Sequence, residues 1–172
     1  MTSLTINATG ALEIAPSKQS SHKDFDFLIG HWQIHNRKLK ARLENCTEWI
    51  EFEATSLMQI ILNGIGNTDH FYANLNARPF EGMTLRLFNP ATSLWSIYWA
   101  DSNNGTMDPP VLGSFDANIG TFYTKDVFNG IEIIVMFRWD KSDPEKPIWS
   151  QAFSEDMGAT WEWNWYMYMS RP

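Results

Sequence analysis

Arg86 and Arg138 are the residues whose surroundings most require a chemical explanation. Each interrupts an apolar run, Thr84-Leu85-Arg86-Leu87-Phe88 and Met136-Phe137-Arg138-Trp139-Asp140. An arginine in such a run either turns outward, laying its aliphatic stem on the surface, or turns inward and needs a carboxylate or an anionic ligand. An unpaired buried guanidinium is too costly to keep. Inward, its planar fork matches two carboxylate oxygens at once. The protein's own partners for it are Asp69, Glu51 and Glu53, and a ligand meeting Arg86 or Arg138 among Trp and Tyr walls would be a fatty or aromatic acid. Asn67, His70, Asp101 and Asn164 are further polar groups at strand ends or inside apolar strands. Around Tyr98 and Trp99 both faces carry aromatics, Trp95, Ile97 and Trp99 against Ser96, Tyr98 and Ala100, so parity leaves open which face points inward.

Other sets are weaker. Glu51 and Glu53 share a strand face with Trp49, about 6 to 7 Å apart, a spacing open to acid–base work and equally to a solvated face. His22, His31, His35 and His70 are the histidines. His31 and His35 share parity but lie about 13 Å apart along a strand, too far to hold one metal without a third element between them. Cys46 is alone, cannot form an internal disulfide, and has no cationic cluster beside it in sequence. No Ser/His/Asp order, glycine-rich phosphate loop or metal-spaced Cys/His set is present. No metal and no cofactor are expected.

The elements that must position these residues read as strands. In the stretch from Ile148 to Arg171, one strand covers Ile148 to Phe153 and another Trp161 to Met169. The second alternates strictly, Trp161, Trp163, Trp165, Met167 and Met169 against Glu162, Asn164, Tyr166, Tyr168 and Ser170, which predicts a half-buried strand facing a large core. Between them, Ser154-Glu155-Asp156-Met157-Gly158-Ala159-Thr160-Trp161 matches the Ser-x-Asp-x-Gly-x-Thr-Trp pattern of the Asp-box, a turn also found in sialidase-like propellers. Its logic is local: Asp156 caps backbone N–H groups, Gly158 takes a positive φ, and Trp161 folds under the loop. With one full copy in 172 residues, a propeller and a glycosidase are not expected.

Upstream, a short helical turn near Asp24 leads to a strand carrying Gly30, Trp32, Ile34 and Asn36 on one face. Further strands are predicted at Trp49 to Leu62, Asp69 to Leu75, Gly82 to Phe88, Leu94 to Ala100, Val111 to Phe115, Thr121 to Lys125 and Ile131 to Trp139. The turns between them are short and polar, such as Asn89-Pro90-Ala91-Thr92. Nine or ten strands at this spacing predict a sandwich or an up-and-down barrel, with consecutive strands paired. Residues 1 to 22, rich in Ser, Thr, Asn and Gly, read as a tail or loosely attached strand; residues 23 to 172 read as one barrel domain.

The formal net charge of −7 argues against a nucleic-acid groove or an anionic membrane surface as partner. The N-terminal stretch lacks a charged segment followed by a continuous apolar one, so no secretory leader is expected. That and the single cysteine fit a cytoplasmic protein.

Gly30-x-Trp32 after a helical turn, with Arg171 at the end of the last strand, resembles the lipocalin (calycin) signature. The resemblance implies a barrel whose Trp32 plugs the closed end while Arg171 packs across its indole. More closely, the chain resembles the bacterial DUF1579 family of uncharacterised, lipocalin-like proteins. The likeness is carried by DFDFLIGHW (24–32), GIGNTD (64–69), TLRLFNPATSLWSIYWAD (84–101), PPVLGSF (109–115) and WSQAFSEDMGATWEWNW (149–165). It implies a fold and transfers no activity. The nitrobindin branch of the calycins holds haem through a late histidine; nothing after His70 is a histidine, so haem is not expected.

These readings give an all-β, antiparallel, up-and-down calycin-like barrel of about eight to ten strands. The first functional expectation is binding of a small, largely apolar molecule, with or without an anionic end. The second is a small enzyme, an isomerase or hydrolase, using Asp69, His70 or the glutamates in the barrel mouth. The third is a barrel filled with aromatics that acts through an oligomer interface, such as a homodimer.

Overall fold

The computed structural model describes residues 1–75 and 77–172. Ten strands close into an antiparallel barrel, and two more form a hairpin outside it. The hairpin joins β1 (Ser3–Ile6) to β2 (Leu12–Ala15). The barrel runs β3 (Gly30–Leu39), β4 (Trp49–Ile61), β5 (Gly66–Leu75), β6 (Arg78–Asn89), β7 (Leu94–Asp101), β8 (Val111–Asp116), β9 (Ile119–Phe128), β10 (Ile131–Asp140), β11 (Ile148–Ser154) and β12 (Glu162–Ser170). Every strand pairs with its neighbour in sequence, and β12 closes the ring on β3. This is the up-and-down, calycin-like arrangement: closure pairs both edges of each barrel strand.

Pleating sends alternate residues inward, and the inward set is heavily apolar: Trp32 and Ile34 on β3, Phe71 and Ala73 on β5, Trp95 and Ile97 on β7, Trp139 on β10 and Trp149 on β11. A 3₁₀ turn, Asp26–Leu28, crosses one end and carries Phe25 and Leu28 into the barrel. Phe25 meets Trp95, Phe115 and Trp139 edge-on, with ring centroids 4.9, 5.0 and 6.0 Å away. Edge-to-face contacts of this kind favour a single packing of the plug.

Below the plug, Trp32 is 1 % exposed and donates its indole N–H to the Leu28 carbonyl at 2.7 Å. The Arg171 guanidinium lies 3.7 Å over its ring and donates to the carbonyls of Phe27, Ile29 and His31. Gly30 has φ 99°, and a Cβ there would sit 3.3 Å from Arg171 Nη1. The Gly-x-Trp…Arg grouping therefore seals this end: the glycine admits the arginine, and the arginine satisfies carbonyls that the plug leaves free.

Two sequence expectations are refined. The first 22 residues are a hairpin held to the barrel, with the Thr2 hydroxyl and the Ser17 N–H on Ser114, and the terminal ammonium 3.3 Å from Asp116. Trp161 and Trp163 do not share the inward face of Trp165, Met167 and Met169. A bulge between Gln151 and Ala152 sets Gln151 opposite Trp165 but Ala152 opposite Trp163, so Asn164 is the extra residue and the faces exchange. Trp163 stacks outside on Tyr166, with centroids 6.4 Å apart, and Trp161 lies under the turn near Tyr123. The turn itself has the expected bonds: Asp156 Oδ1 accepts from the Ser154 hydroxyl and the Thr160 N–H, and Oδ2 from the Thr160 hydroxyl at 2.6 Å. Those donors, led by the Thr160 hydroxyl, lower the Asp156 carboxyl to about 2.

Candidate functional site

The barrel encloses a cavity of about 320 Å³, reaching from Leu28 and Trp32 at the plugged end to Arg42, Asp108, Pro109, Lys125 and Asp126 at the open end. Its walls are Met58, Phe71, Ile97, Trp99, Phe137, Trp149, Trp165 and Met167. A volume of this order lies at the small end of pockets that hold organic ligands, roughly 300–1,000 Å³. The barrel is therefore not packed solid, as the third expectation required.

Polar side chains gather on one wall near the plug. Arg86 on β6 is inward and 4 % exposed. Its Nη2 lies 2.6 Å from Asp69 Oδ2, and its Nη1 donates to Asn67 Oδ1 at 3.0 Å. Register explains the grouping, since Asn67 is opposite Arg86 and Asp69 opposite Thr84 on the paired strands β5 and β6. The guanidinium also lies 5.1 Å from the Phe25 ring and 5.8 Å from that of Trp139. Ser56, Asp69, Thr84 and Arg86 all line the cavity. Arg86 Nε is buried without a partner among the described residues.

Trp99 covers the adjoining wall because Gly82 on β6, opposite Asp101 on β7, leaves room for it: a Cβ on Gly82 would collide with the indole. The Trp99 indole N–H is held by Asp101 at 3.1 Å. Opposite, Gln151 reaches into the cavity and donates to Asn164 Oδ1 at 2.9 Å, while Asn164 Nδ2 is buried without a partner among the described residues.

The open end carries charge of both signs. Lys38 faces inward on β3 with Nζ 4.0 Å over the Trp165 ring. Burial, with Arg42 adding to it against Asp101, lowers its ammonium to about 8. Burial and the neighbouring Asp101 and Asp126 raise the Asp108 carboxyl above its ordinary value.

Several sequence candidates lie elsewhere. Arg138 turns outward, because Phe137 and Trp139 take the inward parity of β10; its side chain is 37 % exposed and meets Asp140 at 3.3 Å. Glu51 and Glu53 are on the outer face with His35, at 3.7 and 2.6 Å, since Ser56 and Met58 are the inward residues of β4. His70 is exposed and meets Glu81 at 3.2 Å, one residue from inward Asp69. Tyr98 is outward because Ile97 and Trp99 line the cavity. The acid–base groups expected in the barrel mouth are thus not in it: Glu51, Glu53 and His70 are outside, and Asp69 is near the plug, paired with Arg86. Asn67, Asp69, Arg86 and Trp99 are brought together, and Asn164 reaches the cavity through Gln151.

Sequence reasoning did not single out Ser56, Thr84, Lys38 or Gln151. Parity carried the signal for the first two: Thr84 lies two residues from Arg86, and Ser56 two from Met58. Nothing in the strand β4 pattern by itself says which parity is inward. No family model matches the chain, and no curated protein is similar to it. Among the described residues no group of three or more His, Cys, Asp or Glu is placed to hold a metal ion, and no helix is long and apolar enough to cross a membrane.

Proposed function

We propose that this chain binds one small, largely apolar molecule inside its barrel. The observation that carries the reading is the cavity of about 320 Å³, apolar along its walls and polar on one side near the plug. A space lined by Trp, Phe and Met takes up an apolar guest at about 25 cal/mol per Å² of guest surface buried, and convergent polar groups orient the guest. The sequence resemblance supports placing the chain among the lipocalin-like DUF1579 proteins, as do Trp32 under Arg171 and the up-and-down closure. The single cysteine and the net charge of −7 support a cytoplasmic protein whose partner is this ligand rather than nucleic acid or a membrane.

Native mass spectrometry of the purified protein tests the reading. The expected result is a minor or major species heavier than the chain by the mass of one small organic molecule, lost on denaturation. Protein that is free of such a species, and that takes up no apolar fluorophore, would overturn it.

A further inference from the structure

Resting on the proposed binding reading, we infer that the polar end of the ligand is an uncharged hydroxyl, seated on Asp69, Thr84 and Ser56, and not a carboxylate seated on Arg86. Arg86 is already engaged. Asp69 stands 2.6 Å from one terminal nitrogen and Asn67 3.0 Å from the other, and the third nitrogen is sealed from the cavity. The pair is electrically neutral, so it offers no net charge to an incoming anion.

What faces the cavity is different. Asp69 uses one oxygen on Arg86, and its other oxygen has no partner among the described residues. The Thr84 hydroxyl is directly across the strand pair from Asp69, and Ser56 lies one diagonal away, opposite Phe71. Such positions bring side chains within about 5 and 8 Å of each other at Cβ, close enough to meet on one guest atom. Neither hydroxyl is bonded to another side chain among the described residues.

A single alcohol oxygen completes this set, donating its proton to Asp69 and accepting one from Thr84 or Ser56. A carboxylate can only accept; seated here it would stand beside the Asp69 carboxylate, with the adjacent Arg86 guanidinium already neutralised and Arg42 and Lys125 away at the open end. An ether or ketone accepts but leaves the Asp69 oxygen without a donor. An ammonium would add an uncompensated positive charge to a neutral pair.

The test uses the whole chain and the neutral apolar fluorophore N-phenyl-1-naphthylamine, displaced at pH 7 by 1-octanol, octyl methyl ether and octanoate. The expected order is octanol first, with the ether and octanoate each weaker by at least about tenfold, the range for a hydrogen bond to a charged acceptor. The double variant Ser56→Ala, Thr84→Val should lose about 2- to 12-fold toward octanol for each hydrogen bond removed, measured relative to its own affinity for the fluorophore. Octanoate or the ether matching octanol would overturn the hydroxyl assignment while leaving the cavity reading intact. An unchanged octanol affinity in the double variant would overturn the seat on Ser56 and Thr84. If wild type takes up neither the fluorophore nor any of the three octyl compounds, the binding reading itself fails.

Discussion

Breaking the Arg86–Asp69 pair from either side should be costly, and removing both partners should cost less than the two single changes together. The side chains are 5 % and 9 % exposed and the charged atoms 2.6 Å apart. At an effective dielectric of about 20, the Coulomb attraction at that distance is about 6 kcal/mol, and desolvation of the two ions consumes most of it. Asp69→Leu leaves a buried guanidinium with only Asn67 to accept from it, which should cost about 3–5 kcal/mol, a third or more of a typical domain's stability. Arg86→Met should cost about as much at pH 7, because it strands a carboxylate. The double variant Asp69→Leu, Arg86→Met removes both ions and should cost well under the sum of the singles, with a coupling of about 3 kcal/mol or more. Urea unfolding of the four proteins at pH 7 measures all of this. Single variants that each cost under about 1 kcal/mol, or a double variant equal to the sum, would refute the view that the pair is dry and mutually dependent.

The remaining expectations concern the ends of the barrel and its outer face. Trp32→Ala should cost about 3–5 kcal/mol as a large truncation at the plug, and Arg171→Ala about 0.5–2 kcal/mol through the lost ring contact, both read by chemical denaturation. Asp156→Ala should lower the melting temperature without changing ligand uptake. Because the Asp156 carboxyl is held near 2 in the folded chain, its contribution should be present above about pH 4 and vanish as pH falls toward 2, so wild type and variant should converge there in an acid titration. Lys38→Met should be more stable than wild type at pH 7, by about 1–2 kcal/mol once solvent contact and the Trp165 ring are allowed for. The folded-state pKa of about 8 lies below the ordinary 10.5, so the difference should shrink as pH rises from 8 to above 10. Arg138→Leu should leave binding of any cavity ligand unchanged, since its guanidinium lies outside with Asp140; a lost affinity would contradict the outward assignment.

Barrel, strand order and sealed end were legible because each depends on local pattern or a short motif. Alternation marks a strand wherever one face is dry, and Gly30-x-Trp32 with Arg171 marks the plug because the glycine, the indole and the guanidinium must fit one another. The site was only half legible, for a reason of symmetry. A strand with polar and apolar residues on both faces reads the same whichever face is turned inward, and a shift of one residue exchanges them all. Arg86 and Arg138 have near-identical sequence surroundings, yet Phe137 and Trp139 claim the interior of β10, while on β6 the inward parity runs Gly82, Thr84, Arg86. What separates them is the neighbouring strand. Asn67 and Asp69 on β5 give Arg86 two acceptors across the ladder, whereas Arg138 is paired in register with Thr121 and Ser150, neither a carboxylate. The same holds for the bulge that turns Trp163 outward: it shows only once β11 and β12 are aligned, because no single strand contains it. An inward arginine is thus a property of three strands at once, and so is the chemistry of its cavity: Asp69, offered to Arg86 by register, neutralises the charge an acid would have sought and leaves an oxygen open to a hydroxyl donor instead.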